Sequence, residues 1–286
     1  MQRQGMTMQE DLIKIARRYP QLLLPIRAGM RQTEEYKSAV LGGEIPETEP
    51  DFRCPAEIRA ETADTPAGRA EILYLGDRED FLHAYQALAY RCEPTPIPDS
   101  VGAVTIGGLI NWEKIHSHRD AYLASGGEDW DAEFDRFTAE KTNYLDRVIL
   151  LSGGNYSNVP PEEAGLSAAD WKEKSYLIRK FHELTHFICR GLYPEDIDAL
   201  RDEVIADSIG LTAAFGFYDT RLARRFLGVQ GGVFHEGGRL SHYANAEELP
   251  AAVQRVNAMI DDYAARIEGA RAEGQDVFTL LLKIFP

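Results

Sequence analysis

The sequence predicts an α+β protein that is dominated by helices and contains a small β-sheet. Apolar residues recur at helical spacing over most of the chain, and only two short runs, 71–75 and 147–151, are rich in β-forming residues. Hydrophobic residues make up 44% of the chain, and no low-complexity run interrupts it, which is typical of an ordinary globular protein. The 286 residues are enough to bury a substantial core in one large or two modest domains.

The overall charge and the cysteines argue against several classes of protein. The formal net charge is −15, which argues against nucleic acid and anionic membrane surfaces as partners. No apolar run approaches the length of a membrane span and no secretory signal is visible, so a cytoplasmic location is expected unless a leader has been removed. The three cysteines, Cys54, Cys92 and Cys189, are odd in number and widely spaced, unlike a disulfide framework or a cysteine-rich zinc site.

The first 66 residues are predicted to form a helical and irregular region, and residues 67–286 a larger domain. Gly42-Gly43 and the segment 44–66, which is rich in Pro, Glu and Thr, mark the boundary. Further along the chain, the pattern predicts helices at 77–91, 110–123 and 130–144, strands at 71–75 and 147–151, and either a strand or a turn at 101–109.

Two long helices are predicted in the C-terminal half of the chain. Ser167 with Asp170 resembles a capping box and Gly191 lies where a C-terminal cap belongs, so the first helix is predicted between them. The second is predicted from Pro194 to Leu211, because Pro suits a first helical position and an apolar stripe follows. The remaining predictions are a short helix around 222–227, a flexible Gly-rich loop at 228–242, and helices at 247–268 and 277–284.

The first of these helices carries the sequence His-Glu-Leu-Thr-His at 182–186. Residues four apart lie on one face of a helix, so His182 and His186 can present two imidazoles to one point. Glu183 is offset by roughly 100° and lies beside that point. Two neutral imidazoles and a nearby carboxylate are what a catalytic zinc requires, namely two ligands and a base.

The second helix supplies acids at useful positions. Glu203 and Asp207 are four residues apart and share a face, and the gap after His186 allows an antiparallel return. Glu203 is therefore predicted to complete a His₂Glu site, with Asp202 or Asp198 as alternatives for the third ligand. Asp207, one turn further, is predicted to accept the second ring N–H of a ligand histidine.

These two motifs resemble those of the gluzincin metallopeptidases, the thermolysin-like class in particular. The matching residues are HELTH at 182–186 and Glu203 to Asp207, which has the ExxxD form of that class's second motif. The resemblance implies a zincin-like pair of active-site helices beside a small sheet, one zinc per chain and a peptide or protein substrate. It also implies that Glu183 is the general base. The gap between the motifs is about one helical turn shorter than in thermolysin-like enzymes.

Two further roles follow from the resemblance. A gluzincin needs a donor to the developing oxyanion downstream of its third ligand, and His242 and Tyr243 are the candidates. An edge strand near the active-site helix pairs with an extended substrate in such enzymes, which suggests this role for the region 147–157. An ordinary internal strand is the alternative for that region.

Other functions remain open at this level. The ExxH spacing occurs twice, as Glu113/His116 and Glu183/His186, and helix-borne pairs of this kind hold two irons in di-iron bundles. A non-catalytic binding protein with a zincin fold is a further alternative, as is a hydrolase acting on a non-peptide amide. A measurement of metal content distinguishes the di-iron alternative from the zinc site, because the di-iron alternative predicts about two irons per chain and the zinc site predicts one zinc.

Overall fold

The computed structural model of the chain describes residues 8–47, 51–194, 198–271 and 275–285. The protein is α+β, as predicted, with 59% of the described residues in helices and 12% in the strands of a small sheet. It divides into two compact units. Unit 1 extends to Ala63 and from Glu71 to Ser152, whereas unit 2 holds Asp64–Ala70 and continues from Gly153. Within the described ranges, none of the helices combines the length and apolarity that crossing a membrane requires.

Nine helices of eight or more residues are present in the described parts of the chain. They are α1 (Met8–Arg18), α2 (Arg78–Ala89), α3 (Trp112–Ala124), α4 (Trp130–Thr138), α5 (Ala168–Leu192), α6 (Ala199–Phe215), α7 (Thr220–Leu227), α8 (Leu249–Arg271) and α9 (Val277–Ile284). The strands are β1 (Ile58–Thr65), β2 (Gly68–Leu75), β3 (Ala103–Ile110) and β4 (Leu145–Ser152). Shorter helical turns include Glu34–Tyr36, Tyr156–Asn158, Pro161–Ala164, Gln230–Gly232 and Arg239–His242.

The sheet has the strand order β1-β2-β4-β3, so β4 is an internal strand. It pairs in parallel with β2 and antiparallel with β3, and Leu150 therefore lies opposite both Leu73 and Val104. The prediction that 147–157 provides an edge strand is wrong. The run Val148–Leu151 is buried throughout, which is typical of a strand covered on both faces. Segment 101–109, for which a strand and a turn are both predicted, contributes residues 103–109 to the edge strand β3.

The division of the chain differs from the predicted boundary at residue 66. That position lies in the two-residue connection of the β1–β2 hairpin, and the second unit resumes at Gly153. Within the predicted irregular segment 44–66, the part Ile58–Thr65 forms β1, whose residues are mostly exposed or half-buried. Polar residues on an exposed edge strand give the same composition as a linker, which is why the pattern was misleading. The core of unit 1 includes Leu75, Phe81 and Leu150.

Helices α5 and α6 lie side by side in unit 2. The Ser167 hydroxyl accepts a hydrogen bond from the Asp170 amide at the start of α5, as the capping pattern predicts. Helix α6 begins at Ala199 after the Asp198 cap, later than the predicted start at Pro194, and residues 195–197 lie outside the described ranges. The two helices approach each other closely at Gly210, where an added Cβ would lie 2.7 Å from the Ile178 carbonyl oxygen.

We expect Gly210→Ala to destabilise unit 2, because its methyl group would collide with the backbone of α5. Overpacking of this kind typically costs about 1–3 kcal/mol. The matched control is Gly269→Ala on α8, where an added Cβ meets no atom of the described residues within 4 Å. That change should stabilise the helix by roughly 0.5–1 kcal/mol, because Ala restricts the unfolded chain. Denaturant unfolding measures both, and a Gly210→Ala protein as stable as the wild type would contradict the close helix contact.

Candidate metal centre

Three predicted ligands meet in one buried cluster. The Nε2 atoms of His182 and His186 lie 3.0 Å apart. The Glu203 carboxylate faces both rings, with Oε1 3.3 Å from Nε2 of His186 and Oε2 3.7 Å from Nε2 of His182. In a tetrahedral zinc site with bonds of 2.0–2.1 Å, the ligand atoms lie about 3.3 Å from each other. The spacing of these three groups therefore matches a tetrahedral ligand set.

Each of the two histidine rings has a carboxylate next to its Nδ1 atom. Nδ1 of His182 lies 3.0 Å from Asp207 Oδ1, and Nδ1 of His186 lies 2.9 Å from Asp202 Oδ2. The His186–Asp202 separation is that of a hydrogen bond, although the ring is not well aligned for one. Carboxylates at Nδ1 favour the proton on that nitrogen and leave the Nε2 lone pairs facing each other and Glu203. Three groups whose lone pairs converge in this way require a cation between them. This set of side chains therefore fits a divalent metal.

The electrostatics of the cluster point to the same requirement. Burial lowers the pKa of His186, but Asp202, Glu203 and Glu183 outweigh burial and raise that pKa from 6.5 to about 10. For Glu203, burial raises the pKa, yet the two histidines and Arg239 hold it well below its usual value. The pKa of Asp207 is likewise lowered, against burial, by Arg239 and His182. The site thus stabilises ionised acids and attracts positive charge.

Two residues of the cluster were not predicted, Tyr156 and Arg239. The Tyr156 hydroxyl lies 2.8 Å from His182 Nδ1 and donates to Asp207 Oδ1 at 2.7 Å. Arg239 donates to Asp207 Oδ2, to Glu203 Oε2 at 3.4 Å and to the Tyr156 oxygen at 3.3 Å. Neither residue lies at a helical spacing from the motifs, so no local pattern in the sequence identifies them.

Arg239 lies in the Gly-rich segment 228–242, which contains the helical turns Gln230–Gly232 and Arg239–His242 and has close backbone contacts. An added Cβ at Gly238 would lie 2.4 Å from the Cα of Gly228, and the His235 amide donates to the Gly228 carbonyl at 2.7 Å. We call this close backbone contact of Gly228 with Gly238 the loop neck. Glycines are needed here because the two chain segments touch, and that requirement gives the same composition as a flexible loop.

The three predicted catalytic residues, Glu183, Tyr243 and His242, differ in their burial and in their contacts with the predicted ligands. Glu183 is half-buried, and its charge is among those that raise the pKa of His186. Burial raises the pKa of Tyr243, and the Glu203 carboxylate raises it further by its charge and a hydrogen bond. The structure therefore brings Tyr243 to the third ligand. His242 is exposed, and its ring centroid lies 6.3 Å from that of Tyr243.

The alternatives for the third ligand have other contacts. Asp198 caps α6 through the amides of Leu200 and Arg201. Asp202 faces Nδ1 of His186 and also accepts a hydrogen bond from Arg190 Nη2 at 2.9 Å. Both are thus engaged away from the point that the two Nε2 atoms share. Of the three acids, Glu203 is the one that faces this point.

The second ExxH pair does not join a cluster of this kind. Glu113 accepts a hydrogen bond from Arg18, and the His116 ring lies 5.7 Å from that of Trp112. In the part of the chain that the structure describes, the group of His182, His186 and Glu203 is the one set of three acid, histidine or cysteine side chains close enough to hold a metal. This arrangement favours a mononuclear site over a di-iron site.

Comparison with known proteins gives one match. The model of a protein family described as "Family of unknown function (DUF7005)" matches residues 7–279. This range includes Tyr156, both ligand helices and Arg239, so the whole cluster lies within the matched region. No curated protein and no solved structure matches the chain.

Proposed function

We propose that this chain, which belongs to the DUF7005 family of unknown function, is a zinc-dependent metallopeptidase. The observation that carries the proposal is the set of three buried side chains on α5 and α6, His182, His186 and Glu203, whose facing nitrogen and oxygen atoms are separated by 3.0, 3.3 and 3.7 Å. The order of the motifs, HELTH followed by ExxxD, supports peptide hydrolysis over other zinc chemistry. His182, His186 and Glu203 would hold the metal and leave a position for water.

The residues around the ligands have the properties that amide hydrolysis requires. Zinc, when bound, supplies a Lewis acid that polarises the carbonyl and lowers the pKa of water toward neutrality. Glu183 accepts the proton of the attacking water on its carboxylate and passes it to the nitrogen of the leaving amine. Tyr243, which burial and Glu203 keep protonated, donates a hydrogen bond to the carbonyl oxygen as that oxygen becomes negative.

Elemental analysis of the purified protein, together with a peptide pool read by mass spectrometry, tests the proposal. We expect about one zinc per chain and cleavage at internal or terminal amide bonds. His186→Ala should abolish both, because it removes a ligand. His116→Ala is the matched control, since this histidine is also on a helix but packs near Trp112; it should leave zinc and cleavage unchanged.

The alternatives give different results in the same experiment. A di-iron site would contain about two irons and lose them in both histidine variants. A protein that binds one zinc and cleaves nothing in a broad peptide pool would be a zincin-fold binding protein or a hydrolase of non-peptide amides. An absence of metal after zinc is supplied at neutral pH would contradict the proposal as a whole.

A further inference from the structure

Tyr156 is held rigidly beside the ligand helix. Its backbone amide donates to the Ser175 hydroxyl on α5 at 3.0 Å, and its ring packs edge-on to Phe226 with centroids 4.9 Å apart. The next two residues, Ser157 and Asn158, have positive φ values of 50° and 54°. Such backbone conformations are unfavourable for residues other than glycine and persist where the surrounding structure requires them. The turn therefore presents a buried phenol at a defined position.

Three polar atoms meet at this phenol in a closed triangle. The Tyr156 oxygen, Asp207 Oδ1 and His182 Nδ1 are separated by 2.7, 2.8 and 3.0 Å. The phenol has one proton, and Asp207 Oδ1 is the acceptor that can receive it. Arg239 Nη1 also approaches the phenol oxygen, and a guanidinium can only donate. The remaining lone pair on the phenol oxygen therefore faces His182 Nδ1, which must be the donor.

We propose that Tyr156 is a positioning residue for the metal centre, and that its hydroxyl, oriented by Arg239 and Asp207, fixes the tautomer and ring orientation of His182. This inference rests on the metal site of the proposed function. With the proton on Nδ1, the Nε2 lone pair of His182 is directed to the point shared with His186 and Glu203. Asp207 alone gives His182 one acceptor, whereas the phenol adds a second and prevents the ring from turning over.

Tyr156→Phe tests the role of the hydroxyl, because the variant retains the ring and its packing against Phe226. Zinc affinity, measured in competition with a chelator of known affinity, should fall roughly 10- to 100-fold, as for other residues that support a metal ligand. The absorption bands of the Co²⁺-loaded protein should change, because the His182 ring is no longer fixed. Where a peptide is cleaved, kcat should fall with little change in KM.

Tyr218→Phe is the matched control. The Tyr218 hydroxyl is buried and has no hydrogen-bond partner among the residues that the structure describes; burial raises its pKa, and the Asp207 charge raises it further. Its removal loses no hydrogen bond, so zinc affinity and the Co²⁺ spectrum should stay as in the wild type. If Tyr156→Phe and Tyr218→Phe both bind metal as the wild type does, with unchanged spectra, the proposal for Tyr156 is overturned.

A second measurement requires no substitution and covers the case in which Tyr156→Phe does not fold. In the zinc-loaded wild-type protein, two-bond ¹H–¹⁵N correlations should identify His182 as protonated at Nδ1 and bound through Nε2. Binding through Nδ1 would overturn the inference. If zinc binds in this way and more weakly in Tyr156→Phe, but no peptide is cleaved, the proposed activity fails and the role of Tyr156 stands. If the wild type binds no metal, both the proposed activity and the role of Tyr156 are contradicted.

Discussion

Glu183→Gln is expected to stop hydrolysis while the metal stays bound. The carboxylate lies beside His186 but outside the group of three ligand atoms, so its loss leaves that group intact. A glutamine amide cannot accept the proton of the attacking water, and loss of a general base costs typically 10²–10⁴-fold in rate. The measurement is kcat/KM on a peptide identified from the pool, alongside the zinc content of the same preparation.

The control for this variant lies on the same helix. Glu173→Gln makes the same chemical change at an exposed position of α5, and we expect zinc content and turnover as in the wild type. Turnover retained by Glu183→Gln would remove Glu183 from the mechanism. Loss of zinc in Glu183→Gln would instead indicate that its carboxylate supports the metal, which would separate this residue from the role of base.

Removing the metal is expected to destabilise the folded protein substantially. Asp202, Glu203 and Asp207 are all buried around the two imidazoles, and a bound metal would supply positive charge to them. A ligand that binds only the folded state at 100 times its Kd adds about 2.7 kcal/mol, and at 1,000 times about 4.1 kcal/mol. Each kcal/mol corresponds to roughly 2–4 °C in Tm for a domain of about 150–250 residues. Thermal unfolding with and without a chelator measures the difference.

The effect of the chelator should grow with pH. In the metal-free protein, His186 has a pKa raised from 6.5 to about 10, so its proton replaces part of the missing positive charge. A raised folded-state pKa contributes stability that is fully present below pH 6.5 and is lost as pH rises toward 10. The metal-loaded protein does not depend on that proton. His186→Ala should show neither the chelator effect nor this pH dependence, and equal Tm values with and without chelator would contradict a metal site in the folded protein.

The ligand helices could be predicted because their signals are local. The spacing of His182 and His186 specifies one helix face, and Glu203 with Asp207 repeats that spacing on the next helix. The Ser167 cap is likewise set by neighbouring residues, whereas the cap at Asp198 was not predicted because Pro194 also suits the start of a helix. The close packing of α5 against α6 depends on Gly210, which has no side chain to keep the helices apart. The sequence alone does not indicate which residue lies opposite Gly210.

The rest of the cluster could not be predicted because it depends on tertiary packing. Tyr156 precedes the first ligand in the chain, and Arg239 follows the last ligand after two further segments. A single tyrosine after a strand and a single arginine in a Gly-rich segment have many ordinary explanations, so neither pattern indicates a metal centre. The same limit applies to the sheet, where the internal position of β4 follows from pairing with β2 and β3 rather than from its own residues.

Because of the loop neck, the position of Arg239 does not depend on the length of the loop between Gly228 and Gly238. Because the chain leaves at Gly228 and returns to the same point at Gly238, the residues between them do not set the distance from α7 to the arginine. Gly231 and Gly232 at its outer part both have positive φ, and Gly231 is exposed. Insertions at that tip would extend into solvent without moving the guanidinium. The loop is therefore a place where this scaffold can accommodate a new surface, such as an added recognition element or an affinity tag, while its centre is preserved.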